Sequence, residues 1–414
     1  MTNTQPHTVG QEVELKIESI AHGGISVARH NGRVIFVADA IPGEKVVAQV
    51  TESRKKSFAR AATTRVIEAS PDRVEHVWAE ASLNQPIDER VGGAEFGHIT
   101  LKRQRQLKSE VLQDAMQRFG RIEAVAEIEA APGDDEALGL GWRSRVRLHV
   151  DQETGIVGPY AARSRRVIKV DALPLANEQI NMIAPLGEFM PDVETIDVVA
   201  PSADDPRSLF TYPGSRARAG ENDAVYETVG DLQFMVSAGG FWQVHREAPL
   251  VLYNAVHETV KSLADNFDPQ AANLDLYGGV GLFARAVLDV GGARTKITSV
   301  ESASRATDFA AENLSDFIGA MAVTERVDKY LKRLNTLEGA TVVLDPPRSG
   351  AGLDVTQKLA ALKPQNLIYV ACDPVALSRD TAALTDLGYS MKSLRGYDLF
   401  PHTHHFECIA VFQR

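Results

Sequence analysis

The chain has 414 residues, 44% of them hydrophobic and 24% charged, the balance of a globular protein of two or three domains. No apolar run approaches the roughly 18 residues that cross a bilayer, and the polar start MTNTQPHTVG does not read as a secretory signal. Two cysteines exclude a disulfide scaffold, so a reducing, cytoplasmic setting with no membrane partner is expected.

The net charge of −11 excludes a uniformly basic coat, yet four basic runs fall within the first 170 residues, at 52–60, 101–108, 142–149 and 162–169. One such run is ordinarily a solvated face. Four together point to an anionic partner for that half of the chain. Residues 7 to 70 alternate apolar and polar side chains at period two, with a hairpin signal at Asn31-Gly32. Five short strands in that span predict a small closed barrel, which leaves no free edge. Residues 71–95 read as irregular. LKRQRQLKSEVLQDAMQRFG (101–120) predicts a helix with Gly120 at its C-terminal end. Strand-like alternation returns between 140 and 235, and residues 249–265 predict a helix with Pro249 near its start. From 273 onward, apolar strands (NLDLYGG, KITSVES, ATVVLDPP, NLIYVACDP) alternate with helical segments, and HHFECIAVFQR ends the chain as a last strand. That alternation predicts a parallel sheet covered on both faces.

LDLYGGVGLFARAV follows a strand and opens a helix. Gly279, Gly281 and Ala284 fit G-x-G-x-x-[GA], and Glu301 ends the next strand. Glycines allow close approach of a ligand, and an acid at the second strand tip can hold two ribose hydroxyls. The pattern alone does not choose between NAD and S-adenosylmethionine. A later strand ends in Asp345-Pro-Pro, where two prolines hold the backbone after a carboxylate that can face a base or the cofactor. The strand after it ends at Cys372, followed by Asp-Pro and a helix. A thiol at such a turn faces the crevice, and the helix N-terminus is expected to lower its pKa. Cys408 reads instead as strand core.

A nucleophilic cysteine beside a methyl sulfonium donor suggests attack on C6 of a pyrimidine, which gives C5 carbanion character. A base must then remove the C5 proton. LFPHTHHFECIAVF offers Glu407, His402, His404 and His405. The three histidines lack the partners of a metal site, so no metal is expected.

FWQVH (241–245), LDLYGGVGLFA, VVLDPPRSGAG, YVACDPVALSRD and FPHTHHFECIAVF, in that order, resemble the motifs of the S-adenosylmethionine-dependent RNA 5-methyluridine methyltransferases. That family includes the tRNA uridine-54 and 23S rRNA uridine enzymes. The resemblance implies a multidomain α/β chain in three parts. Residues 1–70 would be an OB-like TRAM β-barrel, 71–236 a central α+β RNA-binding domain, and 237–414 a Rossmann-like class I methyltransferase domain, with the helix near 100–120 packing on the last. It implies S-adenosyl-L-methionine held by Gln243, Tyr277, Gly279, Gly281, Glu301 and Asp345, with Cys372 as nucleophile and Glu407 as proton acceptor. It gives Arg348 and Arg379 no firm role. The barrel favours 23S rRNA as partner. The alternatives are the same chemistry on tRNA or a methyltransferase acting on another target, and no protein partner is called for. Val91, Ala94 and Leu173 stand where some members carry iron–sulfur cysteines, and two cysteines cannot supply a four-thiolate cluster. His245 replaces a usual Asn, and Leu282 stands where some members place a polar cofactor contact. An amino-group methyltransferase would want an aromatic residue where Arg348 stands. A dehydrogenase leaves Cys372 and Glu407 idle, and an inactive RNA-binding module would not need them.

Overall fold

The computed structural model describes residues 7–54, 58–215 and 219–414. The first six residues and the middle of the basic 52–60 run lie outside them. Five strands, β1 (Glu12–Ala21), β2 (Ile25–His30), β3 (Arg33–Ala38), β4 (Lys45–Arg54) and β5 (Phe58–Glu68), close into a barrel in the order β1-β2-β3-β5-β4. The period-two pattern is the cause. Val13, Leu15 and Ile17 of β1 point inward against Ile35, Val37 and Val46, while the residues between them face water. Asn31 and Gly32 both take positive φ, 53° and 76°, the turn that matches strand twist.

The segment from 71 to 100 is mostly irregular and is tied to the barrel by ion pairs. Arg73 donates to buried Glu44 through Nε at 2.6 Å and Nη2 at 2.7 Å, and Arg90 donates to Asp39 at 2.7 Å. Helix α1 (Leu101–Ala115) runs into a π-helical turn, Met116–Gly120. The left-handed residue that ends it is Arg121 (φ 58°), not Gly120.

The central region holds β7 (Arg145–Val150), β8 (Val157–Gly158), α2 (Glu178–Ile183), β9 (Thr195–Val199) and β10 (Arg207–Thr211), in an antiparallel sheet ordered β10-β9-β7-β8. A separate hairpin, β11 (Ala224–Val229) and β12 (Leu232–Ser237), leads to α3 (Ala248–Ser262).

The last region is a doubly wound sheet. Its elements are β13 (Asn273–Leu276), α4 (Leu282–Gly291), β14 (Ile297–Glu301), α5 (Ser304–Asn313), β15 (Ala320–Thr324), α6 (Val327–Tyr330), β16 (Thr341–Leu344), α7 (Gly352–Leu362), β17 (Asn366–Ala371), α8 (Pro374–Asp386), β18 (Ser390–Asp398) and β19 (Glu407–Gln413). The order is β15-β14-β13-β16-β17-β19-β18-β6, where the short edge strand β6 (Ile128–Ala130) comes from the segment after α1. Successive side chains of β16 serve opposite cores. Val343 meets α3 and α4 residues such as Val256 and Val287, while Val342 and Leu344 meet Leu359 of α7 and Leu377 of α8. Leu112 and Met116 join this second core, which seats α1 on the sheet domain.

That seating includes a buried ion pair. Lys108 Nζ lies 2.5 Å from Asp398 Oδ1 and also donates to the Phe400 carbonyl at 3.1 Å. Both side chains are 1% exposed. Lys108→Ala leaves Asp398 buried and uncompensated and is expected to destabilise the fold by about 3–5 kcal/mol, read by denaturant unfolding. No helix among the described residues is long and apolar enough to cross a membrane.

Candidate active site

In an open parallel sheet the crevice forms where neighbouring strands wind in opposite directions. Here that point lies between β13 and β16. The turn after β13 is tight. Tyr277 (φ 61°), Gly279 (φ 53°) and Gly281 (φ 91°) are all left-handed. A Cβ on Gly278 would lie 2.1 Å from Ser299 Oγ, whereas one on Gly279 would meet only open space, so the loop presses on the sheet behind and offers bare backbone in front. Glu301, at the tip of β14, is locked in place. Its Oε1 accepts from the Ser302 and Ala303 N–H groups at 2.6 and 2.8 Å, and its Oε2 accepts from the Gly279 N–H at 3.4 Å. The loop and this carboxylate form a cradle with open backbone on one side and a fixed hydrogen-bond acceptor on the other.

Asp275, not singled out in the sequence reading, lies under this loop. It is fully buried, accepts from the Ala284 N–H at 3.1 Å and Ser299 Oγ at 3.3 Å, and leaves Oδ1 unpaired. Burial pushes it up to about 7. Its one sequence signal is an acid inside an otherwise apolar strand. Asp345 follows β16, and burial together with the nearby Asp275 pushes it up to about 7 as well.

Cys372 follows β17, the strand beside β16, so it stands next to Asp345. β19 pairs antiparallel with β17, with Cys408 opposite Ala371, and this brings buried Glu407 in behind the thiol. Cys372, Asp345 and Glu407 are close enough to repel one another electrostatically. Burial raises Glu407 well above the usual carboxylate range, and Asp345 adds to that against Arg348. Burial, then Glu407 and Asp345, push the Cys372 thiol up to about 12. The expectation of a lowered thiol pKa is therefore corrected. The helix N-terminus it relied on is already capped by Asp373, whose Oδ1 accepts the Ala376 N–H at 2.8 Å, and desolvation beside two acids outweighs the dipole.

Cys372 opens on a cleft of about 150 Å³ that Arg348, His404, His405 and Phe406 also line, with Leu107 and Val111 from α1. The loop after Asp345 is held from α8. Buried Asp380 accepts the Tyr369 hydroxyl at 2.6 Å and the Ala351 N–H at 2.8 Å. Arg379, its neighbour, is exposed.

The histidines divide. His402 is structural, paired with Gln104 at 3.0 Å and with the Leu138 carbonyl at 2.8 Å. His404 sits 3.7 Å from Glu95, and His405 is held neutral, pushed down to about 3 by burial, His404 and Arg348. No group of His, Cys, Asp or Glu among the described residues could hold a metal ion.

Gln243 is not brought to this cleft. It lines a second one of about 300 Å³, between the central sheet and the start of α3, with Trp242 and Arg246. His245 is buried against Trp142 and paired with Asp134 at 3.0 Å, and Leu282 is buried at the start of α4. Val91, Ala94 and Leu173 share an apolar cluster with Trp78 and Trp142, which does not fit an iron–sulfur cluster.

Residues 6–62 match the TRAM domain, and residues 274–414 match the family described as tRNA (Uracil-5-)-methyltransferase. An uncharacterized RNA methyltransferase of Streptomyces coelicolor is 35% identical over 98% of this chain and 93% of its own. The 23S rRNA (uracil(1939)-C(5))-methyltransferase of Shewanella sediminis is 29% identical over 97% of this chain and 96% of its own. The crystal structure of Pyrococcus abyssi tRNA (uracil-54, C5)-methyltransferase with S-adenosyl-L-homocysteine superposes with a TM-score of 0.69 at 18% identity, covering 97% of this chain and 100% of that one.

Proposed function

The chain belongs to the S-adenosylmethionine-dependent RNA (uracil-C5) methyltransferase family, and we propose that it forms 5-methyluridine in 23S rRNA with Cys372 as nucleophile and Glu407 as proton acceptor. The observation that carries this is the meeting of Cys372, Asp345 and Glu407 at adjoining strand ends, one strand from the glycine turn. The Cys372 thiol loses its proton to solvent as its sulfur adds to uridine C6, and the ring's electrons move to C5 and O4. The Gly279–Gly281 turn and Glu301 would hold S-adenosyl-L-methionine, which would supply a methyl group to C5, with S-adenosylhomocysteine as the leaving group. Glu407, once its own proton has passed to solvent, takes the C5 proton as a carboxylate, the C5–C6 double bond reforms, and the Cys372–C6 bond breaks, returning the sulfur as a thiolate that regains a proton. Arg348 lines the cleft, and its charge opposes the rise in the Cys372 and Glu407 pKa values. Asp345, Tyr277 and Gln243 are read as further cofactor contacts.

RNA is the partner that the barrel surface suits. The Arg60 guanidinium lies over Phe36 and Phe58 at 5.9 and 5.8 Å, an aromatic and basic face of the kind on which bases stack. Reading 23S rRNA over tRNA rests on the full-length likeness to the Shewanella enzyme. No iron–sulfur cluster is part of this reading, and a cytoplasmic location goes with it.

Denaturing electrophoresis after incubation with S-adenosylmethionine and 5-fluorouridine-substituted 23S rRNA tests the reading. Fluorine at C5 does not leave as a proton, so a slow protein–RNA band is expected. A band with tRNA alone would move the target. Failure to trap either RNA, with S-adenosylhomocysteine still bound, would overturn the uracil-C5 mechanism. Glu301→Ala is expected to weaken S-adenosylhomocysteine binding about 10- to 100-fold in calorimetry, because a locked carboxylate makes charge-assisted hydrogen bonds to a diol.

A further inference from the structure

The barrel is built into the cleft. Its β1–β2 turn places His22, Gly23 and Gly24 in the lining of the cleft together with Arg348, Cys372 and His405. His22 Nε2 lies 2.8 Å from Oδ2 of Asp373, a residue 351 positions away in the chain that directly follows Cys372. Both oxygens of that carboxylate are engaged, because Oδ1 caps α8 through the Ala376 N–H. The turn that carries the nucleophile is thus held from two sides, by its own helix and by the barrel. Gly24 closes the wall. It has φ 68°, and a Cβ there would lie 2.4 Å from the Cβ of His404 and 3.1 Å from the Phe96 ring. Only glycine lets the barrel approach so near. His404 continues the contact to Glu95, and the Phe96 N–H donates to the His402 carbonyl at 2.9 Å, so the segment after the barrel is joined to the same histidine run.

We infer that the β1–β2 turn is a working wall of the catalytic cleft and that His22 is a positioning residue, acting through Asp373 to hold the Cys372 turn in its reactive geometry. The barrel then contributes to turnover as well as to RNA affinity. A barrel that only gripped RNA would raise KM when disturbed and leave kcat alone. One that positions the thiol alters the bonded geometry of the reacting atom, where small displacements are costly. His22 is half exposed and its ion pair contributes little to folding, so its loss leaves a folded protein to measure. The kinetic half of this inference rests on the uracil-C5 reading.

Two readouts separate the inference from that reading. The first is steady-state methylation of RNA by His22→Ala. A fall in kcat of about tenfold is expected, with KM for RNA within about twofold and recovery of kcat in His22→Gln, which keeps a donor for Asp373. The second needs no RNA. The rate of Cys372 alkylation by iodoacetamide at alkaline pH, followed on its own peptide by mass spectrometry, is expected to rise about fivefold in His22→Ala as the wall loosens, and to return in His22→Gln. A raised KM with kcat intact would overturn the inference, as would both readouts at their wild-type values. Should the wild-type protein methylate no RNA offered, the uracil reading fails, and the alkylation ratio alone still decides the wall: raised supports it, unchanged overturns it.

Discussion

Cys372→Ala is expected to abolish methylation, a loss on the order of 10⁴-fold or more in kcat, and to abolish the covalent band on 5-fluorouridine RNA while S-adenosylhomocysteine binding stays within about twofold. The mechanism has no bypass: without addition at C6, C5 of uridine is too poor a nucleophile for the methyl group. The protonation state of the thiol adds a second expectation. With the thiol pushed up to about 12, the thiolate is a minute fraction at pH 7 in the enzyme without substrate. Iodoacetamide labelling of Cys372 should therefore be slow at pH 7 and should rise about tenfold per pH unit through pH 9, because only the thiolate reacts. Cationic S-adenosylmethionine, bound beside this acidic cluster, should speed labelling more than neutral S-adenosylhomocysteine, since a positive charge favours the thiolate. Labelling that is already fast and pH-independent at pH 7 would mean that the thiol is activated before substrate arrives, and this account of the site would fail.

How much of this was legible depends on what each segment buries. The barrel strands and β13, β14, β16 and β17 announce themselves because their periodicity matches their environment: alternating where one face is wet, continuous where both faces are covered. The strands β15, β18 and β6 went unseen for the complementary reason. AMAVT is at the sheet edge and only partly buried, SMKSLRGYD is polar over its first half, and IEA is three residues whose place depends on pairing with Gly396–Asp398 far along the chain. The neighbouring positions of Asp345 and Cys372 follow from strand order alone. The thiol's charge state does not, because it depends on Glu407 arriving from an antiparallel strand and on Asp373 taking up the helix end. Asp275 looks like an anomaly in an apolar run until the loop above it is seen, and the contact between His22 and Asp373 has no local signature at all.

Glu407→Gln is expected to lower turnover by roughly 10²- to 10⁴-fold, the range of a lost general base, and to do so late in the reaction. The amide keeps the shape of the protonated acid but cannot accept the C5 proton. Addition and methyl transfer then go ahead, and the adduct cannot collapse. Ordinary uridine RNA, with no fluorine, should therefore yield a protein–RNA band in this variant in the presence of S-adenosylmethionine. If Glu407 instead served the first addition, no band would form. Stability separates this from simple damage to the fold. The folded-state pKa of Glu407 is raised, so below the ordinary Glu value of about 4.3 both folded and unfolded states are protonated and burial carries no ionisation penalty. Above it the unfolded chain ionises first and binds fewer protons, so wild-type stability falls with rising pH until the folded carboxyl also titrates. Glu407→Gln escapes that loss. Its melting temperature should match the wild type near pH 4 and exceed it increasingly toward pH 8, so that a more stable protein turns over more slowly, as expected when the carboxyl is kept buried for chemistry and not for packing.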